Sequence, residues 1–147
     1  MKALVIGGGI GGLATALSLH QAGIEVAVFE AVREIGALGV GINLQPNAVR
    51  ELTELGLGEE LARTGIPTSA LAYFNKHGQR IWSEPRGREA GYHWPQYSIH
   101  RGELLMVLAR AARERLGEAN IHCGHQLGSF EQDAAGVSAH FVDRRSG

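Results

Sequence analysis

Four residues among the first thirty carry chemistry in their types and spacing: Gly7, Gly9 and Gly12, which read Gly-x-Gly-x-x-Gly, and Glu30. Gly7 permits a sharp turn, Gly9 has no Cβ to keep a pyrophosphate off the main chain, and Gly12 lets a helix pack closely on the preceding strand. Phosphates would then meet unpaired N–H groups at the positive end of that helix. Glu30, at the end of a second apolar run, can accept hydrogen bonds from ribose hydroxyls and repels a 2′-phosphate. FAD or NAD is therefore favoured over NADP. Glycine turns also arise for packing alone, so the weight falls on the elements around them.

Those elements agree. Lys2-Ala3-Leu4-Val5-Ile6 has the composition of a strand buried on both faces. Ile10, Leu13, Ala14 and Leu17 then mark one face of a helix that Gly23 ends. Val26, Ala27, Val28 and Phe29 make a second buried strand, closed by Glu30. Strand, glycine turn, helix, strand and acid appear in the order a dinucleotide site requires.

The 147 residues suit one domain with a real core, and 44% apolar with 20% charged residues is an ordinary globular mix. A net charge of −1 leaves no electrostatic footprint for nucleic acid or an anionic membrane surface. No apolar run reaches membrane-spanning length, and no signal segment precedes the first strand. Cys123 is the single cysteine, which fits a reducing cytoplasm. The last residues read as a hairpin that should continue, so the sequence is expected to be part of a longer chain.

Residues 31–45 form a long, glycine-spaced, apolar connection. Such a loop either lies flat against a cofactor ring or serves as a buried crossover. Pro46 opens a helix with Val49, Leu52 and Leu55 inward and Gly56 as its stop, followed by a helical turn over 58–63. Period-two patterning over 71–75 and 80–83 predicts a hairpin. Residues 84–96 read as a loop; Trp82, Tyr92, Trp94 and Tyr97 either line an aromatic pocket or anchor that loop. The longest helix is expected over 102–116. Arg101 stands at its entrance, where the dipole disfavours a cation, so either a bound phosphate or Glu103 should answer its charge. A short strand over 121–124 and an antiparallel pair over 126–132 and 136–142 complete the chain. His122, Cys123 and His125 lack ligand geometry, because neighbours in a strand point to opposite faces, and no metal is expected. No Ser-His-Asp grouping, paired carboxylates or Walker sequence is present, so no catalytic residue is identified.

The stretches Gly7-Gly8-Gly9-Ile10-Gly11-Gly12-Leu13-Ala14, Glu30, Gly39-Val40-Gly41-Ile42-Asn43-Leu44-Gln45-Pro46-Asn47-Ala48, Leu55-Gly56-Leu57 and His100-Arg101-Gly102-Glu103-Leu104 resemble the class A flavoprotein monooxygenases. These are the single-component aromatic hydroxylases, and the resemblance covers essentially the whole chain. Trp82-Ser83-Glu84-Pro85-Arg86-Gly87 and Pro95-Gln96-Tyr97-Ser98-Ile99-His100 are similar to the phenazine-hydroxylating members.

The resemblance implies an α/β fold: a Rossmann-like FAD-binding domain of the glutathione-reductase type with parallel strands, an antiparallel meander and the start of a substrate-domain β-sheet. Residues 1–67 and 98–147 would form the FAD-binding domain, and 68–97 an inserted hairpin and loop of the substrate-binding part. Gly7, Gly9 and Gly12 would receive the FAD pyrophosphate, with Ile10 and Gly11 lending backbone N–H groups. Glu30 would bind the adenosine ribose, and Arg101 would reach the phosphate and ribityl region. Leu127 would touch the adenine side through its backbone, and the loop from Val40 would lie by the isoalloxazine ring. NAD(P)H would be the transient electron donor, O₂ the oxidant, and a small, phenazine-like aromatic the substrate. A non-hydroxylating FAD oxidoreductase, or a dinucleotide-binding module without activity, are the alternatives. Gly36-Ala37 departs from the bulkier Arg-Pro of these relatives. The family's Asp-Gly and later Gly-Asp motifs have no counterpart within these residues, and nothing in the sequence speaks to oligomeric state.

Overall fold

Strand β1 (Lys2–Ile6), helix α1 (Ile10–Gln21) and strand β2 (Glu25–Glu30) form in the predicted order, and β1 runs parallel to β2 with Leu4 opposite Ala27 and Ile6 opposite Phe29. The structure is a computed structural model and describes residues 2–144. Strand β8 (Ile121–Cys123) adds to the other edge of β2, also parallel, so the sheet order is β1-β2-β8. Helix α1 buries Leu13, Ala16 and Leu17 and packs on β1 and β2, whose Val5, Val26, Ala27 and Val28 are buried. Parallel pairing needs such a crossover connection between its strands, and α1 supplies it.

One expectation for β1 is corrected. The strand is not buried on both faces: Leu4 is 39% and Ile6 46% exposed, and only Val5 is buried. The physical reason is position, since β1 is an edge of the described sheet. Side chains alternate faces along it, and the face carrying Leu4 and Ile6 borders an open groove.

Strands β9 (His125–Gln132) and β10 (Val137–Asp143) make the antiparallel pair. Asp133 closes their turn, its Oδ1 accepting the N–H of Ala135 at 2.8 Å and of Gly136 at 3.0 Å.

The chain groups into two compact units, Met1–Ala37 with Leu105–Gly147, and Leu38–Leu104. The second unit holds β3 (Gly41–Leu44), α2 (Pro46–Glu54), α3 (Gly58–Thr64), β4 (Ile66–Thr68), β5 (Ala70–Phe74), β6 (Arg80–Pro85) and β7 (Gln96–His100). Strands β5 and β6 are the predicted hairpin. Its turn is held by Asn75 Oδ1, which accepts from the N–H of His77 and of Gln79. Helix α4 (Arg101–Leu116) begins one residue earlier than its pattern indicates.

Two loops of the sequence reading are corrected here. Residues 31–45 are not continuous loop but contain β3, and the segment after residue 95 is strand β7. Together with β4 they form an antiparallel sheet of order β3-β7-β4. The sequence hides it for a physical reason. Of β3 only Leu44 is buried, β4 has three residues with Pro67 in the middle, and the central strand β7 buries a polar residue, Gln96. Proline is tolerated because β4 is an edge.

Candidate functional site

Gly7 turns the chain out of β1 with φ of 102°, a region closed to most side chains, while its N–H still donates to the Phe29 carbonyl at 2.8 Å. Gly12 is required by packing, because a Cβ there would lie 1.9 Å from the Gly7 carbonyl oxygen. Gly9 and Gly11 differ. Gly9 has ordinary extended backbone (φ −77°, ψ −179°), and a Cβ on either residue would meet nothing within 4 Å. Gly9 caps α1 without a side-chain hydrogen bond, and no acid lies in the first turn. The amides from Ile10 onward thus start the helix beside open space, an arrangement that favours an anion.

Glu30 stands next to this turn. Its Oε2 accepts the Gly8 N–H at 2.5 Å and its Oε1 accepts the Val32 N–H at 2.9 Å. Bonds of this charge-assisted kind contribute about 1.5–3 kcal/mol each. The acid therefore braces the loop and carries remaining lone pairs for a ligand hydroxyl. Ile35 and Glu30 close the space behind Gly8, where a Cβ would sit 2.9 Å from Ile35 Cδ1. The residue before Glu30 is clamped as well: the Phe29 ring stacks on His122 at 4.6 Å and on Phe141 at 4.2 Å, with His125 edge-on. Sequence reasoning missed Gly8, Ile35 and Phe29 as supports. The signal for Gly8 was available in the proximity of an acid at the strand end to uncapped turn amides.

Val40 and Arg101 are brought together. The Arg101 N–H donates to the Val40 carbonyl at 2.9 Å, and His100 Nε2 lies 3.0 Å from the Gly39 carbonyl. Gly39 has φ of 142°, and a Cβ there would fall 2.9 Å from Arg101 Nε, so the arginine stem lies across bare backbone. Val40 is 72% exposed. Among the described residues Arg101 makes no ion pair, so Glu103 does not answer its charge.

Leu127 sits in β9 opposite Phe141 and, with Leu4, Ile6, Phe130 and Val137, lines the groove beside β1. The four aromatics do not converge. Tyr97 is buried in β7 against Gly65, Trp82 pairs with Tyr73 across the hairpin, and Trp94 meets His93 edge-on. His122 and His125 serve the Phe29 stack, and among the described residues no three His, Cys, Asp or Glu side chains gather as metal ligands. Burial pushes the Cys123 thiol above its ordinary pKa, only partly offset by Arg113. No helix among the described residues is long and apolar enough to cross a membrane.

Comparison with known families decides what this turn belongs to: the FAD binding domain family matches residues 1–147. The chain belongs to the FAD-binding domain family. It is 50% identical over 145 residues to the phenazine 1,6-dicarboxylic acid hydroxylase PhzS of Lysobacter antibioticus, covering 98% of this chain and 36% of that protein. It is 33% identical over 156 residues to an FAD-dependent urate hydroxylase of Klebsiella pneumoniae, covering 99% of this chain and 38% of the relative. Among solved structures, Klebsiella pneumoniae HpxO complexed with FAD and uric acid superposes with a TM-score of 0.79 at 31% identity, over 98% of this chain and 36% of that one. Both relatives are named as hydroxylases, the second as FAD-dependent, and this chain spans little more than a third of their length. The observed fold, a parallel sheet with antiparallel strands and helices, is the α/β architecture expected of that domain. The open space at Gly9 and Gly11, beside uncapped amides, fits the diphosphate of FAD.

Proposed function

We propose that this chain is the FAD-holding part of an aromatic hydroxylase that uses NAD(P)H and O₂. The observation that carries the reading is the contrast within the glycine turn. Its packing glycine is filled by protein, whereas Gly9 and Gly11 have ordinary backbone and face space that nothing in this unit occupies. The pyrophosphate would rest on the amides of Gly9, Ile10, Gly11 and Gly12, with Gly7 shaping the approach. Glu30 would hold the ribose while keeping the loop braced, Leu127 would offer backbone to the adenine side, and Val40 would flank the ring. Arg101, exposed and without an ion pair among the described residues, would meet phosphate and ribityl oxygens.

Bound FAD would supply the transfer of electrons from the nicotinamide to O₂ and of one oxygen atom to an electron-rich ring. The protein's task is then to orient that ring and exclude water. Residues 1–67 with 98–147 would serve the cofactor, and 68–97 the substrate side. The relatives named for phenazine dicarboxylic acid and urate support a small aromatic substrate.

Titrating the 147-residue chain with FAD, followed by flavin fluorescence quenching, tests the binding step. Saturable one-to-one quenching is expected, and its absence defeats the reading. For the longer protein, hydroxylated product formed with NAD(P)H consumption separates a hydroxylase from a flavin reductase that returns only reduced oxygen.

A further inference from the structure

His100 is the last residue of β7, immediately before α4, and pairs in register with Gly41, the first residue of β3. Its side chain reaches two residues beyond that partner: Nε2 lies 3.0 Å from the Gly39 carbonyl oxygen. The next residue holds the next carbonyl, the Arg101 N–H donating to Val40 at 2.9 Å. Two adjacent carbonyls are thus gripped by two adjacent residues, one through a side chain and one through the main chain.

Burial does not fix this segment. Residues 38–40 are all exposed, with Leu38 at 75% and Val40 at 72%. Gly39, at φ of 142°, is the residue type that rotates most freely, so its orientation has to be held by bonds. That orientation matters to Arg101, whose stem lies against it: a Cβ on Gly39 would fall 2.9 Å from Arg101 Nε and 3.0 Å from Arg101 Cβ. With no ion pair to fix its end among the described residues, the arginine depends on this bed. A carbonyl oxygen only accepts, so His100 Nε2 is the donor and carries the hydrogen in the neutral ring.

We propose that His100 is a positioning residue for the cofactor. By holding the Gly39 carbonyl it keeps bare backbone under the Arg101 stem and Val40 beside it, so that the guanidinium and the loop are presented together. The inference rests on the FAD reading of Arg101 and Val40, and adds a residue that acts through them.

The test compares His100→Gln, whose amide nitrogen takes the place of Nε2, with His100→Asn, whose shorter amide falls short of Gly39. Calorimetric titration of the 147-residue chain with FAD should place His100→Gln within about twofold of wild type and His100→Asn at least about fivefold weaker. Both melting temperatures should stay within about 2 °C of wild type, because an exposed side chain is exchanged. Beside Arg101→Met, His100→Asn should cost less than about twofold, since the group it positions is gone. In the FAD-free chain, imidazole ¹⁵N shifts should show the neutral ring protonated on Nε2, and the Val40 and Arg101 amides should move in His100→Asn but not in His100→Gln. Equal affinity of the two variants, a full loss persisting beside Arg101→Met, or hydrogen on Nδ1 overturns the proposal. So does weaker binding that tracks a lowered melting temperature in both variants, which would mark His100 as a fold contact. If wild type takes up no FAD, the cofactor reading fails and this inference with it. If wild type and His100→Asn bind alike, only the role of His100 fails.

Discussion

Two glycines three residues apart, Gly9 and Gly12, answer to different constraints. At Gly12 the fold itself excludes a side chain, since the Gly7 carbonyl occupies the place of a Cβ. At Gly9 the backbone is extended and the space is open, so the protein would accept a methyl group. A glycine that folding does not need is a sign of something approaching from outside. The same contrast recurs at Gly39, covered by the Arg101 stem, and Gly41, which faces nothing within 4 Å.

The largest expected effect comes from Gly12→Ala. The gain in helix propensity of about 1 kcal/mol is outweighed by a backbone clash, and chemical denaturation should show a net loss of about 3 kcal/mol. Gly9→Ala sharpens the comparison: stability should fall by no more than about 1 kcal/mol, the cost of alanine at a helix cap. FAD affinity should drop at least about tenfold, or about 1.4 kcal/mol. If Gly9→Ala unfolds the chain instead, the distinction between the two glycines is wrong. Arg101→Met should leave stability within about 0.5 kcal/mol, because no ion pair is lost among the described residues. Calorimetric titration should show FAD binding weakened by roughly tenfold, one charge-assisted contact. Glu30→Gln keeps the size but replaces one charged acceptor with a donor facing the Gly8 or Val32 N–H. Melting curves should register about 1 kcal/mol lost.

The smallest effect concerns Cys123. Its thiol pKa is raised by burial, so the folded state has its full relative stability below the ordinary thiol pKa and loses some as pH rises through the raised value. Alkylation by iodoacetamide should be slower than for a free thiol near neutrality. Fast labelling of the native chain at neutral pH would contradict that burial.

The first βαβ unit was legible because each of its signals is local and reinforced by the next: the apolar run of β1, the glycine spacing, the stripe of Leu13 and Leu17, and Glu30. The first hairpin was legible through its period-two patterning on either side of a short turn, whereas the closure of that turn by the Asn75 side chain was not read from sequence. The β3-β7-β4 sheet was not, because its stability lies in pairing between distant segments, Ile42 with Ile99 and Pro67 with Tyr97. Short strands carrying proline and asparagine give no periodic pattern to read. At the site, sequence named Glu30 for a ligand but not its grip on Gly8, since that bond depends on how β2 ends beside the turn.

The sandwich of Phe29 between His122 and Phe141 has a temporal consequence. The tip of the second strand is made early in translation, yet the rings that immobilise it emerge from the ribosome only near the end of these residues. Until then the Phe29 ring lacks both stacking partners, although the amides that hold Glu30, those of Gly8 and Val32, are already made.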